Sequence, residues 1–338
     1  MRDTVFTNTP NQMQDIYTRL RSLGFSRPFL RDFILLDWWE DHMASVPANR
    51  AIVESILSRQ LGLDLPALRD PQGSIVLQPK LAARFKMRSG VDANQLDVAQ
   101  ILAARLATIA ASCFDKSLML KELSAGEIRT HVLKGGVPWI GLEQLLDVCW
   151  QIGVPVVHLC RLPSGSKKMD GMLCWAEGRP VIVVSCQRKS PAWQLFILAH
   201  ELGHIACGHL LPDSPHILDN KVDTDVREQQ EKEANDFAVT LLTGHKHMAF
   251  RPQSSFLTAP ELAEDAKELG TELKIDPGVI ALNYSWNQNC FPVAMAALKL
   301  IERDTNAADV FRSKYDQLDL DALPQDSRRI YNCLTLTE

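Results

Sequence analysis

The stretch His200-Glu201-Leu202-Gly203-His204 is the part of this sequence best suited to chemistry. Two histidines four residues apart project from one face of an α-helix, a little over a turn apart. As neutral imidazoles they can share one Zn²⁺ at about 2.0–2.1 Å. Glu201 follows the first histidine and points to the adjoining side, where it can reach a water beside the metal without being a ligand. From there it can accept that water's proton and later deliver it to a leaving amine. The chemistry implied is metal-assisted hydrolysis.

A five-residue pattern is short, so its surroundings decide its weight. Leu195, Phe196, Ile197, Leu198 and Ala199 precede it, and Leu202, Ile205 and Ala206 continue the apolar stripe. The helix is therefore expected to be buried, and ionisable residues within a buried helix need partners. Gly203 inside it costs about 1 kcal/mol relative to alanine, which predicts a close neighbour at that point. Ser190-Pro191 suits a helix start, serine as N-cap and proline in the first turn, so the helix should run from Pro191 to about His209.

A catalytic zinc needs a third protein ligand and an open position. The best source is a second helix, about Glu228 to Leu242, with Ala234, Phe237, Ala238, Leu241 and Leu242 on its apolar face. Glu231 and Asn235 are spaced i,i+4, so the carboxylate can bind metal while the amide orients a ligand histidine. Ala234 is small enough to let this helix approach the first. Glu233 falls on another face and is expected to meet solvent.

These elements sit in a chain of 338 residues with a hydrophobic fraction of 46%, long enough for two or three packed domains. Short helices broken by turns are expected over residues 1–92, including Asn11–Leu23 and Asn49–Leu61, with Trp38-Trp39 as packing or as an exposed patch. A peptidase core follows over 93–250. It starts with a helix from Asn94 to Ala111 and has strands at Val154–Leu159, Gly171–Ala176 and Pro180–Ser185, the last two as a hairpin turning at Glu177–Pro180. Residues 251–338 read as further helices ending in a loosely ordered acidic tail from about 305. No apolar run is long enough to span a membrane. The N-terminus lacks a secretory h-region, and the eight cysteines are scattered singly, as in reduced cytoplasmic proteins. With a net charge of -5, the chain is no polycation for duplex DNA. Residues 1–90 nonetheless carry +3, mostly from Lys80, Arg84, Lys86 and Arg88.

The two motifs, in this order, resemble the ImmA/IrrE family of bacterial metallopeptidases. The likeness runs from Val183-Val184-Ser185 through Phe196, Ala199 and His200–His204 to His209. It resumes at Glu231, Ala234, Asn235, Phe237, Ala238, Leu241 and Leu242. Leu242-Thr243-Gly244 departs from it, since members often have Met-Pro after the paired leucines. The resemblance implies an α+β, zincin-like fold, an active-site helix on a small sheet whose edge strand holds an extended substrate. It also implies a single protein substrate, a helix-turn-helix repressor, whose cleavage derepresses a DNA-damage, mobile-element or anti-phage defence operon.

An enzyme with one target needs restraint. A thiolate in zinc's fourth position would exclude water, and Cys113, where the 94–111 helix ends, is the cysteine placed to do so or simply to be buried. Tyr284 and His209 are candidates for an oxyanion donor, or for packing and capping. Single-stranded DNA bound by the basic run at 80–88, which is otherwise a solvated helix face, or by aromatics of the N-terminal helices, is a candidate activator, and such binding should weaken steeply with salt. The competing class is a regulator that keeps the metal and has lost turnover; the intact Glu201 argues against it. A small-molecule hydrolase is disfavoured by the resemblance alone.

Overall fold

The β-branched runs of the middle section pair as a three-stranded sheet of β1 (Val156–Leu159), β2 (Gly171–Ala176) and β3 (Arg179–Ser185). Their order is β1-β3-β2, with β1 parallel to β3 and β2 antiparallel to it. Ile182 stands between Val156 on one side and Leu173 on the other. The expected hairpin turns over two residues, Glu177 and Gly178, both at positive φ, which suits strand twist. β1 and β3 are buried along nearly their whole length, as strands covered on both faces should be. β2 is an edge.

The structure, a computed structural model, describes residues 13–78, 98–119, 124–166, 169–185, 189–210, 224–251 and 256–335. The basic run from Lys80 to Arg88 and the first residues of the expected 94–111 helix lie outside these. Two compact units result. One comprises Met1–Arg105, Arg161–Lys168 and Leu323–Leu334; the other comprises Leu106–Cys160, Met169–Ala322 and Thr335–Glu338.

The first unit contains α1 (Gln14–Ser22), α2 (Arg27–Phe29), α3 (Pro47–Leu61) and α4 (Leu65–Arg69), and α5 (Val98–Ser112) begins in it. Ile16, Leu20, Phe25, Leu30, Leu57 and Leu61 are buried there. Glu54 is buried between Arg50 at 2.8 Å and Arg69 at 3.0 Å, so its charge is partnered. The tryptophan pair divides its roles: Trp39 is buried, while Trp38 is exposed and meets it edge to face.

The second unit carries the sheet with α6 (Ala125–Lys134), α7 (Leu142–Gln151), α8 (Pro191–Ala206), α9 (Thr224–Thr243), α10 (Ala259–Leu273), α11 (Pro277–Gln288), α12 (Phe291–Ile301) and α13 (Ala307–Arg312). The architecture is α+β, with helices around a small sheet, as a zincin-like core requires. Among the described residues, no helix is long and apolar enough to cross a membrane.

Residues 305–335 are not the loose tail that their polar composition suggests. α13 buries Phe311 against His158 of β1, the rings stacked at 4.4 Å. α14 (Gln325–Thr335) buries Ile330, Tyr331 and Leu334 in the first unit, where Asp326 pairs with Arg59 and accepts from Gln60 at 2.9 Å. The apolar residues are few but fall on one helix face, a pattern that average composition conceals.

The two site helices are held at their ends by charged side chains. Ser190 caps α8 by accepting from the Trp193 N–H at 3.2 Å, with Pro191 in the first turn, as the sequence predicts. Glu302, just after α12, adds a second acceptor for the Ala192 N–H at 2.8 Å and the Ser190 hydroxyl at 3.1 Å. Arg129 of α6 is buried. It donates to the Leu241 and Leu242 carbonyls at 3.3 and 2.8 Å, and to those of Leu273 and Lys274 at 3.3 and 2.8 Å. One guanidinium thus closes the C-termini of α9 and α10, where helix carbonyls carry partial negative charge.

Burial, with Asp276 as a lesser cause, raises the Glu302 carboxyl to about 7. The folded protein therefore holds a proton there that the unfolded chain has already released. Its stabilising effect is complete below the ordinary glutamate range and is lost as pH rises to about 7. Glu302→Gln keeps an acceptor oxygen for both donors. Chemical denaturation across this window should show stability falling less with rising pH in the variant than in the wild type. Equal slopes would remove Glu302 from the cause.

Candidate metal centre

α8 and α9 meet where Gly203 faces Ala234. A Cβ on Gly203 would stand 2.8 Å from the Ala234 carbonyl oxygen and 3.0 Å from its Cα. Both are backbone atoms that cannot turn aside. The close neighbour that a glycine in a buried helix predicts is therefore the second helix itself, and the small Ala234 completes the contact.

This approach sets Glu231, on α9, against both motif histidines. Its carboxylate oxygens lie 3.3 Å from His200 Nε2 and 3.7 Å from His204 Nε2, and the two Nε2 atoms are 3.1 Å apart. The corners of a tetrahedral zinc site with the usual bond lengths are about 3.3–3.4 Å apart, so the two nitrogens and the carboxylate have close to the spacing of three ligands around one ion. Glu231 is half exposed, which leaves the open side of the cluster toward solvent.

Proton positions favour a cation here. Asn235 Oδ1 lies 3.0 Å from His200 Nδ1 and can only accept, so that nitrogen carries the hydrogen. His204 Nδ1 lies 2.9 Å from His209 Nδ1, and His209 Nε2 lies 2.9 Å from Glu233 Oε2. A carboxylate acceptor places the His209 proton on Nε2. Its Nδ1 then accepts from His204 Nδ1–H. As neutral imidazoles, both motif histidines thus turn Nε2 lone pairs toward each other and toward a carboxylate. Three such donors converging within 4.8 Å repel one another unless a positive ion lies between them. The residues present fit a metal ion.

Glu201 is buried and stands apart from the ligand set. Its carboxyl packs against the first residue of β2: a Cβ on Gly171 would meet Glu201 Oε1 at 2.8 Å. Glu201 is therefore pinned between its own helix and the start of the edge strand. The sequence marks Glu201 but not Gly171, because a glycine at a strand end is commonplace and carries no chemical signature.

The remaining candidates fall elsewhere. Cys113 is buried at the end of α5, where its thiol contacts the Ile109 carbonyl at 3.1 Å and burial raises its pKa to about 11. It is not brought to the His200–His204–Glu231 cluster. Tyr284 is buried among Ala192, Leu262, Ala281 and Leu298, and its hydroxyl accepts from the Leu257 N–H at 3.0 Å. His209 lies just past the end of α8 and orients His204 from behind. Glu233 does not simply meet solvent. Hydrogen bonds from Gln229 and His209 hold its carboxyl below the ordinary range.

Residues 154–270 match the family model Peptidase_M78, described as the IrrE N-terminal-like domain. Comparison with curated proteins and with solved structures gives no match.

Two substitutions test this geometry. Gly203→Ala adds overpacking of about 1–3 kcal/mol, against about 1 kcal/mol gained in helix propensity. The expected result is a lower Tm together with loss of bound metal; a Tm at or above the wild type would mean the helices part freely. Glu233→Gln leaves all three ligands in place but weakens the acceptor behind His209. Competition with a chelator should show metal affinity lower by about 10-fold or more, and an unchanged affinity would refute the His204–His209–Glu233 relay.

Proposed function

We propose that this protein, whose residues 154–270 belong to the IrrE/ImmA family of metallopeptidases, is a zinc-dependent endopeptidase acting on one protein partner. The observation that carries the reading is the convergence of two imidazole Nε2 atoms and one carboxylate beside a buried glutamate outside that cluster. Two imidazoles and a carboxylate with an open side are a catalytic zinc's ligand set. When bound, Zn²⁺ supplies Lewis acidity to the hydrolysis.

The chain's own groups do the rest. Glu201 takes the proton of the attacking water as its oxygen bonds to the peptide carbon, and returns a proton to the nitrogen as the C–N bond breaks. Asn235 and His209 hold the two histidines so that Nε2 of each faces the Glu231 carboxylate. An extended peptide adding to the edge of β2 would pass Gly171 and so run alongside Glu201, its backbone held by strand pairing. Phe196 lies one turn before His200 on the same helix face. Trp286, 68% exposed, has its ring 6.3 Å from that of Phe196, so an apolar surface adjoins the metal centre for a substrate side chain.

The partner we propose is a helix-turn-helix repressor, cleaved in the cytoplasm to derepress a DNA-damage, mobile-element or anti-phage defence operon. The identity of this partner rests on the family resemblance. Single-stranded DNA, bound through the basic run at 80–88, is the proposed activator.

The test compares wild type with Glu201→Gln, each produced together with the repressor encoded beside it, with metal content measured on both. Both should retain zinc, and only the wild type should fragment the repressor. If neither cleaves, even with single-stranded DNA added, the protein is a metal-binding regulator without turnover.

A further inference from the structure

We propose that Phe196, Trp286 and Phe291 form the subsite that sets substrate specificity, and that it selects a large apolar side chain beside the bond that is cleaved. The inference rests on reading His200, His204 and Glu231 as the metal centre of a peptidase.

Three helices of the second unit bring these rings into a row. Phe196 is partly exposed on α8, one turn before His200. Residues four apart on a helix have Cβ atoms about 5–6 Å from each other, so Phe196 stands directly beside a ligand. Trp286, in the last turn of α11, has its ring centroid 6.3 Å from that of Phe196. Phe291 opens α12, and its ring meets Trp286 edge to face at 6.0 Å. The turn between these two helices fixes the row. Asn289 ends α11 in the left-handed region at φ 52°, and the Cys290 N–H donates to the Ser285 carbonyl at 3.1 Å. That turn brings Phe291 back beside Trp286.

A single exposed tryptophan needs no explanation. Trp286 differs because rings on two sides hold it while 68% of its surface stays open. A side chain already held loses little freedom when something covers it. The row also begins on the helix face that carries a metal ligand, and this continuity names the occupant. An extended peptide advances about 3.3 Å per residue. A side chain lying on the row therefore belongs to a residue within one or two positions of a carbonyl held at His200. Aromatic rings offer a large apolar area, which a bulky side chain covers and a methyl group leaves in water.

The experiment measures, by calorimetry, the binding of three probes to the zinc-loaded full-length protein: acetohydroxamate, 3-phenylpropanohydroxamate and 4-aminobutanohydroxamate. Their chains are short and free to swing to either side of the metal. The phenyl probe should bind wild type at least about 10-fold more tightly than acetohydroxamate, since one methylene in an apolar pocket can already be worth that much. In Trp286→Ala this ratio should fall toward one while acetohydroxamate binds as before, and Trp286→Phe should keep most of it. A ratio unchanged in Trp286→Ala, or no preference in wild type, overturns the subsite. An ammonium probe that gains as much as the phenyl one means that the rings bind a cation, and overturns the apolar assignment. A wild type that sediments as a dimer, with Trp286→Ala a monomer, gives the face to a second copy and overturns it also. If wild type takes up no zinc, or binds none of the probes once loaded, the metal centre itself fails and the subsite with it.

Discussion

The contact between Gly203 and Ala234 is the constraint on which the metal centre depends. The Gly203 position stands so close to the Ala234 backbone that a methyl group would be 2.8 Å from a carbonyl oxygen. Because helix rise and twist are fixed, this one approach determines what else meets. Glu231, three residues before Ala234, reaches the motif histidines; Asn235, one residue after, reaches His200 Nδ1. Glu233 reaches His209.

Around that contact, charge is managed by tautomers and helix ends more than by ion pairs. Each motif histidine has an acceptor behind it, an amide for His200 and a second imidazole for His204, so both present a lone pair to the same point. The acceptors are arranged in depth: His209 is itself oriented by Glu233, and Glu233 by Gln229. Further out, Glu302 braces the start of α8 and Arg129 closes the ends of α9 and α10. A metal site is only as exact as the elements that carry it, and these braces act on the two helices that supply the ligands.

Much of this was legible in the residues because the relevant signals are local. Four-residue spacing puts His200 and His204 on one face, and the same spacing links Glu231 to Asn235. Ser190-Pro191 marks the helix start, and the β-branched runs mark the strands. The glycine inside the motif helix foretold a close neighbour. What stayed hidden was non-local. Arg129 belongs to a helix with no chemical signature, and nothing near it in sequence shows that its partners are carbonyls more than a hundred residues away. Glu233 and His209 are 24 residues apart, with each role set by the other. The acidic stretch after 305 misled because composition averages over a helix whose few apolar residues share one face.

The sequence by itself determined the reactive set, two imidazoles with a glutamate between them and a second helix bearing Glu231 and Asn235, and with it the class of chemistry. Helical periodicity is a property of the chain, so those facts needed no folding. Only the tertiary structure decided which nitrogen of each histidine faces the metal point. It also buried Tyr284 and Cys113, and brought Cys207, His209 and Glu233 together. Those outcomes depend on which surfaces come within hydrogen-bond reach across elements, and that distance is set by how closely helices pack, which no spacing along the chain encodes.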